Sequence, residues 1–215
     1  MDNNKFEIIP GILEKDWEAI EEKLKKIKTF ARSAHIDIID GKFADNKTFF
    51  DPNPFKKYSS DLLLEVHLMV DNPIQYLKPF ASSGFKRYIG HVEKMPNVAD
   101  FIAEGQTLGE VGLALDGPTD INIINDVNLN DLDCLLIYAS EKVGFAGPPM
   151  MPERLEKVKE LRARTDIPIE VDGGIKDHNL LMALSVGATR FVATSFIWNS
   201  NDPKSNYEKL EQLLH

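Results

Sequence analysis

The chain has 215 residues, 43% hydrophobic and 27% charged, and this ordinary globular composition excludes an intrinsically disordered chain and a fibrous repeat. Its 25 basic and 34 acidic side chains give a net charge of −9, which argues against general electrostatic binding to nucleic acid or to an anionic membrane. One cysteine excludes an intrachain disulfide, and no apolar run reaches the roughly 20 residues of a membrane span. With no secretory signal pattern visible, we expect a cytoplasmic protein.

Short apolar runs rich in β-branched residues alternate along the chain with longer stretches in which apolar residues recur at helical spacing. The predicted strands are Phe6–Ile9, Ala34–Ile39, Leu62–Leu68, Arg87–Val92, Glu110–Leu115, Cys134–Ala139, Ile167–Val171 and Arg190–Ala193. A helical stretch follows each of them, and the weakest are Asp51–Ser60 and Thr119–Val127, which are short and carry mixed signals.

Eight strand–helix alternations predict parallel strands, because parallel neighbours need a crossover between them. They favour a closed (β/α)₈ barrel, with residues 1–215 forming a single domain. The alternative is an open doubly wound sheet, but no G-x-G-x-x-G motif follows the first strand.

Side chains of the types that bind metals lie where three predicted strands end, which is where such a barrel carries its reactive groups. His35 and Asp37 are two residues apart in the second strand and therefore share a face, His67 ends the third strand, and Asp172 follows the seventh. Mixed nitrogen and oxygen ligands suit one divalent ion such as Zn, Fe(II), Mn or Co. The remaining histidines lie outside this pattern and are predicted to be dispensable for metal binding: His91, His178 and His215.

Three glycine- or hydroxyl-containing loops follow the last three strands, where barrels of this kind commonly hold phosphate. Backbone N–H groups there can approach an anion closely, because glycine has no Cβ. The candidate phosphate-binding residues are Gly144, Phe145, Ala146, Gly147, Gly173, Gly174, Thr194 and Ser195.

The order of these motifs resembles that of one enzyme family, the ribulose-phosphate 3-epimerases, from about Ile8 to Phe196. The segments that carry the resemblance are His35-Ile36-Asp37-Ile38-Ile39-Asp40-Gly41-Lys42-Phe43, Asn46, Thr48, Val66-His67-Leu68-Met69, His91-Val92-Glu93, Gly144-Phe145-Ala146-Gly147 and Glu170-Val171-Asp172-Gly173-Gly174-Ile175. The resemblance implies a TIM barrel of the ribulose-phosphate-binding type, with one divalent metal held by His35, Asp37, His67 and Asp172. Asp37 and Asp172 would also be the catalytic acid and base, because inverting a carbon beside a ketone needs proton transfer at both faces.

The chain departs from this family pattern at several pocket positions. The first strand reads Pro10-Gly11 where the family ordinarily has Pro-Ser, so one hydroxyl that faces the substrate is missing. Ile39 replaces a usual methionine, whereas Met69 is kept, and we expect Gly11, Ile39 and Met69 to line the pocket. Two loops also differ, at Lys142-Val143 and Asp116-Gly117.

Three functions therefore stay open. The first is metal-dependent 3-epimerisation of D-ribulose 5-phosphate to D-xylulose 5-phosphate, and the second is 3-epimerisation of a related ketose phosphate such as allulose 6-phosphate. The third is a catalytically weak paralogue that binds a phosphorylated sugar, for which Gly11 and Lys142 are the supporting features. In each case the expected partner is a small phosphorylated sugar, and a homo-oligomer is expected.

Overall fold

The structure is a computed structural model that describes residues 6–124 and 129–214. Within these residues, eight parallel strands close into a barrel in chain order, with β8 paired to β1. The strands are β1 (Glu7–Ile12), β2 (Ser33–Ile39), β3 (Leu63–Met69), β4 (Arg87–His91), β5 (Glu110–Leu115), β6 (Cys134–Tyr138), β7 (Ile169–Asp172) and β8 (Arg190–Ala193). The predicted (β/α)₈ barrel is confirmed, and the alternative of an open sheet is wrong.

Helices and short 3₁₀ turns surround the barrel. The α-helices with both ends in the described part of the chain are α1 (Trp17–Ile27), α2 (Leu77–Ser82), α3 (Val98–Gln106), α4 (Leu155–Arg162), α5 (Leu180–Ser185), α6 (Ser195–Trp198) and α7 (Pro203–Leu214). The 3₁₀ turns are Asn53–Tyr58, Pro73–Tyr76, Val92–Lys94, Ile121–Ile123 and Pro152–Arg154. None of the described helices is long and apolar enough to cross a membrane.

Helix α1 shows how the sequence builds this outer layer. Asp16 caps its first turn by accepting a hydrogen bond from the amide of Ala19 at 2.9 Å, as an N-cap carboxylate commonly does. Ile20, Leu24 and Ile27 recur at helical spacing and are all buried. Burial of this apolar stripe holds the helix against the barrel.

Strand β1 extends three residues beyond its predicted end at Ile9 and includes Pro10, Gly11 and Ile12. A proline has no N–H to give to a ladder. Pro10 pairs with Ala193 of β8, whereas the pairing of β1 with β2 begins only at Gly11 and His35. Pro10 therefore lies where the neighbouring ladder has not yet started, which explains why a proline is tolerated there.

The two weakest predicted helices are shorter than expected. The first is the 3₁₀ turn Asn53–Tyr58, which buries Phe55 and Tyr58. The second is represented by the 3₁₀ turn Ile121–Ile123, and residues 125–127 of that prediction lie outside the described residues.

Candidate metal centre and active site

The four predicted metal-binding side chains meet at one end of the barrel. Asp37 Oδ1 lies 3.3 Å from His35 Nε2 and 3.0 Å from His67 Nδ1. Asp172 Oδ2 lies 3.9 Å and 3.5 Å from the same two nitrogen atoms. All four side chains are buried, and their ligand atoms lie within 4.8 Å of one another. The period of two in β2, the pairing of Asp37 with His67 and the closure of the barrel therefore bring together residues that are distant in sequence.

Two carboxyl groups contact His35 at the ring nitrogen that points away from Asp37. Its Nδ1 lies 2.5 Å from Glu65 Oε1 and 3.3 Å from Glu170 Oε1. Glu65 is also bound by Arg87, whose Nη1 donates to Glu65 Oε2 at 2.7 Å, so Glu65 is ionised and can only accept. His35 Nδ1 therefore carries a proton, which leaves Nε2, 3.3 Å from Asp37 Oδ1, as the nitrogen whose lone pair can bind a metal once its own proton is lost. These assignments follow from the bonding partners.

His67 is held in the same way by a second chain of groups. Its Nε2 lies 2.9 Å from His91 Nε2, and His91 Nδ1 lies 3.1 Å from Glu93 Oε2. Burial raises the pKa of Glu93, but the hydrogen bond from His91 outweighs it and lowers the pKa to about 2. Because Glu93 only accepts, His91 Nδ1 donates to it and His91 Nε2 accepts from His67. The unprotonated Nδ1 of His67 is thus left facing Asp37 and Asp172.

These residues fit a metal ion. Two imidazole lone pairs and two carboxylates converge in a buried space, which is unfavourable without a positive charge between them. Tetrahedral ligands at bond lengths of 2.0–2.2 Å lie about 3.3–3.6 Å apart, close to the separations found here. Without a metal, a proton supplies the charge: burial lowers the pKa of His35, but hydrogen bonds with Asp37, Glu170 and Glu65 outweigh it and raise the pKa well above its usual value. The arrangement can hold one divalent ion.

The two aspartates have opposite tendencies to ionise. Burial raises the pKa of Asp37, but the close contacts of its carboxylate with the imidazoles of His35 and His67 outweigh it and lower the pKa to about 2. Burial and the nearby charge of Asp37 raise the pKa of Asp172 to about 8. A pair of carboxyl groups whose pKa values are pushed apart can serve as base and acid in one site.

A cavity opens above the two aspartates. It brings together every predicted phosphate-binding residue with Asp37, Asp172 and Met69. The further lining residues, which sequence reasoning did not identify, are Leu13, Tyr138, Ile175 and Val192. Tyr138 is the last residue of β6, a strand-end position that could have marked it. Its hydroxyl donates to the carbonyl oxygen of Lys142 at 3.0 Å and so holds the next loop.

The loop glycines have structural reasons to be glycine. Gly144, Gly147, Gly173 and Gly174 all have positive φ angles, between +81° and +113°. A Cβ on Gly173 would lie 2.6 Å from the backbone nitrogen of Ser140. Around Gly147, by contrast, nothing lies within 4 Å of such a Cβ. Turn geometry therefore explains the glycine at these positions without a bound anion.

Two residues expected to line the pocket lie outside its wall. Ile39 is fully buried and packs with Met69 and Ala44 behind the cavity. Gly11 lies beneath Thr194, and its carbonyl oxygen accepts a hydrogen bond from Trp198 Nε1 at 2.6 Å. Of the other histidines, His91 is not one of the four ligand groups, His178 is largely exposed, and His215 lies outside the described residues.

Comparison with known proteins places the chain in a family. The model of the ribulose-phosphate 3-epimerase family matches residues 7–198. The chain belongs to the ribulose-phosphate 3-epimerase family. As a member it is an isomerase, a sugar-phosphate epimerase. It is 31% identical over 205 residues to the ribulose-phosphate 3-epimerase of Mycobacterium leprae, covering 92% of this chain and 90% of that protein.

Other relatives agree with this membership. The ribulose-phosphate 3-epimerase of Bacillus subtilis is 30% identical over 211 residues, covering 93% of this chain and 95% of that protein. Among solved structures, the 3-hexulose-6-phosphate synthase of Salmonella typhimurium superimposes with a TM-score of 0.72 at 13% identity, over 97% of this epimerase and 98% of that chain. At 13% identity this structural superposition supports the barrel fold alone.

Proposed function

We propose that this epimerase inverts carbon 3 of a ketose phosphate, with D-ribulose 5-phosphate and D-xylulose 5-phosphate as the leading pair. The observation that carries the proposal is the pairing of Asp37 and Asp172 in one buried site, where both carboxyl groups line the same cavity. Inversion beside a ketone removes a proton from one face and returns one to the other. One ionised and one protonated carboxyl group are the pair that this requires.

In this mechanism each aspartate faces one side of the substrate plane. Asp37, as a carboxylate, takes the C3 proton of one epimer, while protonated Asp172 supplies a proton to the opposite face. The reverse reaction exchanges their roles. Both groups line the same cavity, so a substrate held there can contact both.

One divalent ion, Zn, Fe(II), Mn or Co, is the proposed cofactor. Its ligands would be His35 Nε2, Asp37 Oδ1, His67 Nδ1 and Asp172 Oδ2. When bound, the ion would stabilise negative charge that develops on a substrate oxygen as the C3 proton leaves. Glu65 and His91 keep the two imidazole lone pairs directed at this position.

The phosphate is proposed to lie against the remaining lining residues of the cavity. Backbone N–H groups of the segments 144–147, 173–174 and 194–195 would hold it, with glycine allowing close approach. Binding of the phosphate, which is remote from the reacting carbon, would orient the substrate between the two aspartates.

A panel of ketose phosphates tests the function and its alternatives. D-ribulose 5-phosphate and D-allulose 6-phosphate are assayed with protein loaded in turn with each of the four metals, and metal content is measured by elemental analysis. We expect metal-dependent epimerisation that is fastest with D-ribulose 5-phosphate. Faster turnover of D-allulose 6-phosphate would identify the second substrate class, and no turnover of either by metal-loaded protein would contradict the proposal and favour a sugar-phosphate-binding paralogue. A cytoplasmic location and a homo-oligomer remain predictions.

A further inference from the structure

Gly11 and Thr194 share one space at the edge of the cavity. Gly11 pairs with His35 on its β2 side, and the preceding Pro10 pairs with Ala193 on its β8 side. A Cβ built on Gly11 would overlap Thr194 Oγ1 and would lie 3.0 Å from Val192 Cγ1. The Thr194 hydroxyl therefore occupies the position that a side chain at residue 11 would need.

The Thr194 hydroxyl also has no partner of its own. It makes no hydrogen bond with residues 6–124 or 129–214, although the side chain is half-buried on the cavity wall with Asp37 and Asp172. A hydroxyl group can donate one hydrogen bond and accept others, so this one is available to a ligand in the cavity. A bound ligand with hydroxyl or carbonyl oxygens would satisfy it.

We propose that the side-chain hydroxyl of Thr194 binds the substrate. This inference rests on the proposed function, because it takes the ligand to be a sugar phosphate. The side chain lies against Gly11, which pairs with His35, one of the four metal-binding residues, and it lines the same cavity as Asp37 and Asp172. Its hydroxyl bonds an oxygen of the sugar's carbon chain, between the reacting end and the phosphate.

The same geometry makes residue 11 and residue 194 alternative sources of this hydroxyl. A serine at position 11 would collide with the Thr194 hydroxyl where it lies now, so one of the two side chains would have to move. In this chain the hydroxyl comes from the end of β8, and glycine in β1 makes room for it. Transferring this hydroxyl from the end of β8 to β1 therefore requires substitutions at both residue 194 and residue 11.

Calorimetric binding to metal-loaded protein tests the proposal without turnover. The probes are xylitol 5-phosphate, an unreactive open-chain sugar phosphate, and inorganic phosphate. Thr194→Val, which keeps the shape and removes the hydroxyl, is expected to weaken binding of xylitol 5-phosphate about 5–10-fold, the effect of one lost hydrogen bond. Binding of inorganic phosphate stays unchanged. Thr194→Ser retains the affinity for both probes.

Further variants control for shape and folding. Thr194→Ala is a second variant without the hydroxyl, and Gly11→Ser/Thr194→Gly is expected to bind xylitol 5-phosphate more tightly than Thr194→Gly alone. Thr107→Val is the matched control, because the Thr107 hydroxyl bonds the backbone at the end of α3, outside the cavity. It is expected to bind both probes like the parent protein.

Several outcomes would overturn the proposal. They are no weakening in either hydroxyl-free variant, an equal loss for both probes (which would make Thr194 a phosphate contact), and a parent protein that does not bind xylitol 5-phosphate. The proposed function fails separately: a parent protein that binds the probe through Thr194 but epimerises no ketose phosphate contradicts the function and supports this inference.

Discussion

The Nε2 atom of His91 lies 2.9 Å from the Nε2 atom of His67, and the two rings stack with centroids 5.0 Å apart. Glu93 completes the chain, and its other oxygen accepts a hydrogen bond from the amide of Asp116 at 2.7 Å. A metal-binding histidine whose second nitrogen is held in this way has a fixed ring orientation and tautomer. His91 is thus a positioning residue, although the sequence predicts that it is dispensable for metal binding.

Replacing His91 should therefore weaken metal binding. His91→Ala is expected to lower the affinity of the metal-free protein for Zn or Co about 10–100-fold, the usual effect of losing such a support. Competition with a coloured chelator measures this without any substrate. His178→Ala is the control, because His178 is exposed and contacts Asp177 outside the site. Equal affinities of His91→Ala and the parent protein would exclude the positioning role.

Glu93 should make stability depend on pH in a defined direction. Its pKa is lowered from 4.5 to about 2, so its stabilising effect is complete above pH 4.5 and declines as the pH falls towards 2. The free energy of unfolding of metal-free Glu93→Gln should be lower than that of the parent at pH 7. At pH 3.5 this difference should be smaller by about 1 kcal/mol. Urea unfolding at both pH values measures it, and a difference that does not change with pH would contradict the assignment.

Local patterns in the sequence were enough to predict most of the barrel. Buried strands are short apolar runs, and the period of two in β2 places His35 and Asp37 on one face. The ends of β3 and β7 then supply His67 and Asp172. These three strands belong to one closed parallel barrel, which brings the four side chains together.

The supporting contacts could not be predicted in the same way. The contact of Glu65 with His35 depends on the register that pairs these two residues, and the contact of His91 with His67 depends on the register between β3 and β4. The fit of Thr194 over Gly11 joins opposite ends of the chain, so no local signal marks it. The last part of β1 was missed because a proline usually interrupts a strand. Whether Pro10 is tolerated there depends on where the pairing with β2 begins.

Adding a side chain at residue 11 should destabilise the protein. Gly11→Ala places a Cβ against Thr194 Oγ1, and overpacking of this kind costs about 1–3 kcal/mol of unfolding free energy. Thr194→Ala in the same chain removes the colliding oxygen and should restore most of that loss. A double-mutant cycle by thermal or urea unfolding measures the coupling. Additive effects of the two substitutions would show that the residues do not share this space.

Removing the phosphate from the substrate should lower turnover as well as affinity. Binding energy from a remote group orients the reacting carbon, so a truncated substrate loses rate in the chemical step. We expect kcat for D-ribulose to fall well below kcat for D-ribulose 5-phosphate with the same metal-loaded protein. Comparable kcat values for the two sugars would contradict a phosphate site in this cavity.

The central claim, proton transfer at C3 by Asp37 and Asp172, is tested most directly by proton NMR of D-ribulose 5-phosphate in D₂O. The metal-loaded protein should form D-xylulose 5-phosphate with deuterium at C3. Asp37→Asn and Asp172→Asn, with metal content confirmed, should epimerise about 10²–10⁴-fold more slowly, whereas the exposed control Asp131→Asn should not. An Asn variant that still exchanges the C3 proton of one epimer without inversion would identify which aspartate faces that epimer. Product without deuterium at C3, or near-normal epimerisation by either Asn variant, would contradict the two-carboxylate account.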